Sequence, residues 1–164
     1  MTEADVEHAT LEWLAALGWE VGHGPDGSPP DARTPGTERD TYRETALKHR
    51  LQGAIRRLNP HIPASAQDEA CRQVLNPNLP GLVQANRQMH RWMVEGVPVE
   101  YQKNGETRGD RVRLVDWSDV ARNDWLALNQ FSIQGPKRTR RPDVVLFLNG
   151  LPVVVVELKN PGDE

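Results

Sequence analysis

The chain has 164 residues, enough for one ordinary domain with a sizeable core, and its 37% hydrophobic and 26% charged residues exclude a wholly disordered polymer. A net charge of −3 and a pI near 6.0 argue against a nucleic-acid coat that is basic throughout, while leaving room for local basic patches. The single cysteine, Cys71, excludes an internal disulfide and a cysteine-based zinc cluster.

The longest apolar run, Leu151-Pro152-Val153-Val154-Val155-Val156, is far short of the ~20 residues of a membrane helix. The acidic start, Met1-Thr2-Glu3-Ala4-Asp5, lacks the basic flank of a signal peptide. These features point to the cytoplasm and to no membrane partner.

In chain order, an amphipathic helix is expected over 4–17, with Thr2 and Asp5 forming a capping box and Gly18 stopping it. Its apolar positions are Val6, Ala9, Trp13, Leu14 and Leu17. The Gly-, Pro- and Asp-rich stretch 22–36 reads as a long loop. A second helix is expected over 41–58, carrying Leu47, Leu51, Ile55 and Leu58 and halted by Asn59-Pro60. Two more follow, over 65–75 with Ser65 as cap, and over 81–94 ending at Gly96. A basic patch is spread through Lys48, Arg50, Arg56 and Arg57.

Beyond Gly96 the period becomes extended. Strands are expected over 97–102 and 112–116, with the hairpin signal Asn104-Gly105 between them, and over 126–133. Two apolar strands follow, 143–148 and 153–159, joined through Asn149-Gly150. Their near-continuous Val and Leu content implies burial on both faces, hence helices covering the sheet. An α/β or α+β sandwich with a mixed sheet follows; the expected class is α/β, a mixed central β-sheet flanked by helices, as one domain over 1–164 with the helical segment 41–94 inserted.

Chemistry concentrates at the ends of the two apolar strands. Asp143 opens the first; Glu157 and Lys159 end the second. Carboxylates and lysines are seldom buried unless paired or metal-bound. Glu157 and Lys159, two apart, share a face, and the hairpin register decides whether Asp143 joins them. A two-residue loop pairing Leu148 with Leu151 sends Glu157 to the other face. A three-residue loop with Gly150 in a bulged turn pairs Phe147 with Leu151 and aligns Asp143, Val155, Glu157 and Lys159. The odd register is expected, because a one-residue slip destroys the site. Two converging carboxylates suit Mg²⁺, and with an adjacent ammonium they suit phosphodiester hydrolysis.

The run Lys137-Arg138-Thr139-Arg140-Arg141, directly before the first of these strands, is expected to contact phosphate, against the plainer reading of a solvated loop. The five histidines show no zinc-ligand spacing. Core packing is expected for Trp92 and Trp117, and Cys71 reads as a small buried hydrophobe on a helix.

The string Arg141-Pro142-Asp143, then Asn149-Gly150-Leu151-Pro152, then Glu157-Leu158-Lys159-Asn160-Pro161 resembles the PD-(D/E)xK nuclease motif. In wording it is most similar to the N-terminal nuclease domain of the restriction (R) subunit of type I restriction–modification enzymes. The likeness extends to Asn129-Gln130-Phe131, Arg108-Gly109-Asp110-Arg111-Val112 and the opening helix from Trp13 to Trp19.

The resemblance implies a restriction-endonuclease-like core in which Asp143 and Glu157 hold Mg²⁺ and Lys159 is the catalytic lysine, acting on double-stranded DNA. It also implies an acidic contribution from the first helix. With Val6 at zero and about 100° per residue, the apolar stripe centres near Val6, Trp13 and Leu17. Glu7 falls on its edge beside Leu14, whereas His8 and Glu12 point away, so Glu7 is the candidate. Lys137, Arg138, Arg140 and Arg141 are the candidate DNA contacts.

The family's modification and specificity subunits are the expected partners. ATP is expected only for a motor region, since no G-x-x-x-x-G-K-S/T sequence occurs here. The family core continues downstream with a Gln-x-x-x-Tyr element, so the chain reads as an N-terminal fragment of a longer subunit. The rival readings are a non-cleaving module that docks DNA or a partner, and a different nuclease of the same superfamily.

Overall fold

The computed structural model describes residues 2–24, 29 and 38–159. Most of the expected 22–36 loop, and Asn160-Pro161 of the motif string, lie outside the described residues. In chain order the elements are α1 (Glu3–Ala16), β1 (Glu20–Gly22), α2 (Lys48–Leu58), α3 (Ala64–Leu75), α4 (Leu82–Glu95), β2 (Val97–Lys103), β3 (Glu106–Val112), a 3-10 turn (Val120–Arg122), β4 (Trp125–Asn129), β5 (Ile133–Gln134), β6 (Thr139–Arg140), β7 (Val144–Leu148) and β8 (Leu151–Val156). They form two compact units, residues 48–123 and the flanking segments 1–47 with 124–164. Among the described residues no helix is long and apolar enough to cross a membrane.

The flanking unit is built on a mixed sheet of order β1-β4-β7-β8, with β1 parallel to β4 and the other pairs antiparallel. The expected capping box starts α1: Thr2 Oγ1 accepts the Asp5 amide, and the Asp5 carboxylate accepts the Thr2 amide at 2.6 Å. The helix packs Leu11 and Leu14 on Ala127, Val144, Leu146 and Val156.

This corrects the expected stripe. Trp13 and Leu17 are 70% and 77% exposed. At about 100° per residue the packed arc runs through Leu14, Glu7 and Leu11, so Glu7 lies at its centre rather than on its edge. The helix presents Leu11 and Leu14 to this cluster, and the indole packed against it is that of Trp19 rather than Trp13. Trp19, just past the helix, meets Trp125 edge-on at 5.0 Å.

The opposite sheet face buries Leu126, Leu128, Val145 and Phe147 with Phe131 and Leu47. Among the described residues this cluster contains no helical residue. Arg39 stacks over the Phe131 ring at 3.8 Å and donates to the Glu44 carbonyl at 2.9 Å, and burial lowers its pKa. The helix expected over 41–58 begins only at Lys48. The Glu44 carboxylate accepts the Asp40 and Thr41 amides, and the Leu47 amide goes to the Gly150 carbonyl at 2.8 Å, so these groups are committed outside a helical ladder.

β8 corrects a second expectation. Among the described residues no strand pairs with its outer edge, and Val153, Val154 and Val155 are 39%, 44% and 58% exposed. The strand expected over 126–133 ends at Asn129, where Gln130 takes φ +52°. β5 then pairs with β6, turning the expected basic loop into a hairpin.

In the unit 48–123, α2 packs on α3 and α3 on β2. Pro63, not Ser65, occupies the cap position of α3. Asn59 supplies the halt after α2: it donates to the Ile55 and Arg113 carbonyls and accepts the Arg113 amide. The Asn104-Gly105 turn forms as expected, both residues at positive φ, but β3 is Glu106–Val112 rather than 112–116. Cys71 is buried on α3, which raises its thiol pKa. Trp92 is buried; Trp117 instead lies 57% exposed, its indole N–H donating to the Met93 carbonyl.

Candidate active site

The β7–β8 hairpin positions the acidic pair. Its turn is the two-residue Asn149-Gly150, with φ +51° and +80°, and it pairs Leu148 with Leu151. The expected three-residue loop is therefore wrong. The extra residue sits farther along: Phe147 faces Pro152 and Leu146 faces Val154, leaving Val153 in a bulge. Past the bulge Val145 pairs with Val155 and Val144 with Val156. The ladder ends at Val144–Val156; the same parity, continued one step, would put Asp143 and Glu157 on one face, with Lys159 two residues later.

The turn is free to close tightly because Asn149 is tied at both ends. Its amide donates to the Asp124 carbonyl, and its side-chain oxygen accepts the Asp124 amide, each at 2.8 Å.

Asp143 is buried, at 9% exposure, and one of its carboxylate oxygens accepts the Leu158 amide at 2.6 Å. That bond ties the start of β7 to the residue between Glu157 and Lys159, both of which are exposed. The Asp143 carbonyl accepts the Gln130 amide at 2.9 Å.

Glu7 reaches the same corner from α1. Its two oxygens accept Asn129 Nδ2 at 2.6 Å and Gln130 Nε2 at 2.7 Å. The Asn129 side-chain oxygen in turn accepts the Gly24 amide at 3.2 Å and lies 3.2 Å from His23 Nδ1. Glu7 is thus linked to Asp143 through Gln130. Among the described residues no group of three or more His, Cys, Asp or Glu side chains converges on a common ion position, so Glu7 does not complete a three-carboxylate cage.

A cavity of about 540 Å³ adjoins the acidic end, lined among others by Lys137, Arg138, Arg140, Pro142, Val155 and Glu157. The β5–β6 hairpin thereby brings three of the four candidate basic residues to Glu157; Arg141 does not line the cavity. The Gly135 amide bonded to the Arg138 carbonyl at 3.0 Å closes the hairpin tip.

By donor type the two carboxylates could hold a hard cation. Asp143 keeps one carboxylate oxygen outside its bond to Leu158, Glu157 is solvent-accessible, and a pair of carboxylates with water suits Mg²⁺ better than a soft-ligand metal. Sequence reasoning assigned no role to Asn129, Gln130, His23 or Gly24. The string Asn129-Gln130-Phe131 was the available signal, but its meaning depends on Glu7, more than a hundred residues away.

The fold is mixed α/β with a mixed sheet, and the basic β5–β6 hairpin and Glu157 line one cavity beside it. Residues 1–164 match the family model described as Type I restriction enzyme R protein N terminus, and the chain belongs to that family. It is 37% identical over 98% of its length to the type I restriction enzyme HindI endonuclease subunit of Haemophilus influenzae. It is 31% identical over 95% of its length to the putative type I restriction enzyme MjaIXP endonuclease subunit of Methanocaldococcus jannaschii. The chain spans about 15% of the length of each of these relatives.

Proposed function

We propose that this chain is the endonuclease domain of a type I restriction enzyme R subunit, a PD-(D/E)xK-type core that hydrolyses phosphodiester bonds in double-stranded DNA with Mg²⁺. Asp143 and Glu157 hold the ion; when bound, it supplies positive charge to the scissile phosphate and lowers the pKa of an attacking water. Lys159 orients that water or offsets charge building on the phosphoryl oxygens. Lys137, Arg138 and Arg140 seat the DNA backbone, with Arg141 beside them, and none of these contacts reads sequence. Glu7 is a positioning residue that acts on Asp143 through Gln130.

The observation that carries this reading is the Asp143–Leu158 hydrogen bond in the register set by the Val153 bulge, which supports convergence of Asp143, Glu157 and Lys159. In the whole subunit the domain is coupled to an ATP-dependent translocase and works with modification and specificity subunits in the cytoplasm. Asp143→Ala or Lys159→Ala in the full-length enzyme abolishes cleavage while ATP-driven translocation continues. Unimpaired cleavage by either variant removes the assignment and leaves a non-cleaving docking module.

A further inference from the structure

Building on the reading of this chain as a DNA-cleaving domain, we propose that the outward face of α2 is a second duplex-docking surface, one that grips the phosphate backbone and takes no part in scission. The helix contains Lys48, His49, Arg50, Arg56 and Arg57 and no Asp or Glu. Leu51, Ala54, Ile55 and Leu58 are buried. At about 100° per residue they occupy one side, and Lys48, Gln52, Arg56, His49 and Gly53 sweep in that order across the other.

Lys48, His49 and Arg56 are exposed, and among the described residues their side chains make no ion pair or hydrogen bond. Asp68, on the adjoining α3, shares with Lys48 and Arg56 an electrostatic influence on Cys71 but forms an ion pair with neither. Lys48 and Arg56, left without a pairing anion, create a positive potential that attracts a polyanion.

The charge of the whole unit agrees. Residues 48–123 hold twelve Lys and Arg against eight Asp and Glu, whereas the flanking segments hold eight against fifteen. The modest net charge of −3 therefore conceals a basic unit inserted in an acidic one.

Gly53 adds an independent observation. It sits inside the helix on the exposed side, and no heavy atom lies within 4 Å of where its Cβ would be. Packing does not require glycine there, and bare backbone in the middle of a basic face lets a phosphodiester strand come close. Lys48 and Arg56 are eight residues apart, about 12 Å along the axis, so each reaches a different phosphate.

The test is fluorescence anisotropy of this 164-residue chain with a short labelled duplex across a potassium chloride series in EDTA. Each phosphate contact contributes about 0.9 to the slope of log affinity against log salt. Lys48→Gln/Arg56→Gln is expected to weaken binding and to flatten that slope by about 2. Lys103→Gln/Arg108→Gln, which removes two exposed charges from the β2–β3 hairpin of the same unit, is expected to leave the slope unchanged.

An unaltered slope in the α2 variant overturns the proposal, as does an equal loss in the hairpin variant or a preference for phosphatidylserine vesicles over duplex. EDTA separates docking from cutting. Absence of wild-type binding overturns the docking face even where Asp143→Ala still abolishes cleavage, and a flattened slope upholds it even where Asp143→Ala still cuts.

Discussion

Replacing Glu7 by Gln removes a charge that two side-chain amides share. Asn129 Nδ2 and Gln130 Nε2 each donate to one carboxylate oxygen, at 2.6 and 2.7 Å. A neutral amide offers one acceptor oxygen and turns its own NH₂ toward the second donor. One bond is lost and the other falls from charge-assisted to neutral. Hydrogen bonds to charged groups contribute about 1.5–3 kcal/mol and neutral ones about 0.5–1.5 kcal/mol.

All three side chains are half-buried, so water recovers part of the loss and a net destabilisation of about 1–2 kcal/mol is expected. At about 2–4 °C per kcal/mol for a chain of this size, Tm drops by roughly 2–8 °C. The loosened Gln130 also releases the Asp143 carbonyl, so kcat for cleavage in the full-length enzyme falls while KM for DNA is unchanged. Circular dichroism melting and single-turnover cleavage check the two effects. A Glu7→Gln protein that melts with the wild type and cuts at its rate refutes the clamp.

Three further substitutions probe other parts of the structure. Gly53→Ala raises stability by about 0.5–1 kcal/mol, because the added Cβ meets nothing within 4 Å and helix propensity improves; the urea midpoint reads it. Asp116 is held below the ordinary carboxylate pKa by the Asp119 amide first, then the Ser118 amide and Arg122, against the opposing effect of burial. A lowered folded-state pKa stabilises above the unfolded value of about 3.9, and that contribution vanishes as pH falls through the folded value. Asp116→Asn therefore lowers the urea midpoint at neutral pH and weakens its dependence on acid. Val155→Lys, at an exposed position of the open strand β8, reduces self-association measured by light scattering, since a charge on a sheet edge opposes strand addition.

Much of the local structure was legible because it depends on neighbours in sequence. The Thr2–Asp5 cap and the Asn104-Gly105 and Asn149-Gly150 turns all rest on residues whose conformational preferences are intrinsic. Partners distant in sequence decided what was not legible. β1 is three residues that make a strand only by pairing with β4, and the onset of α2 depends on Leu47 bonding to Gly150.

The hairpin shows both sides of this. The need for an extra residue between Asp143 and Glu157 could be read from parity alone, but its position could not. With Asn149 held by Asp124 the turn closes on two left-handed residues, and the extra residue sits at Val153 instead. The orientation of α1 was hidden because its packing partners in the sheet lie far away in sequence. Glu7, expected on the edge of the apolar stripe, lies instead within the packed arc.

The most direct test is calorimetric titration of Mg²⁺, and of Mn²⁺ as its tighter-binding surrogate, into this chain beside Asp143→Asn. Saturable heat from the wild type, lost in the variant with the fold retained by circular dichroism, is the predicted result. Equal heats from both proteins, or none from the wild type, contradict the assignment of Asp143 to a divalent-cation site.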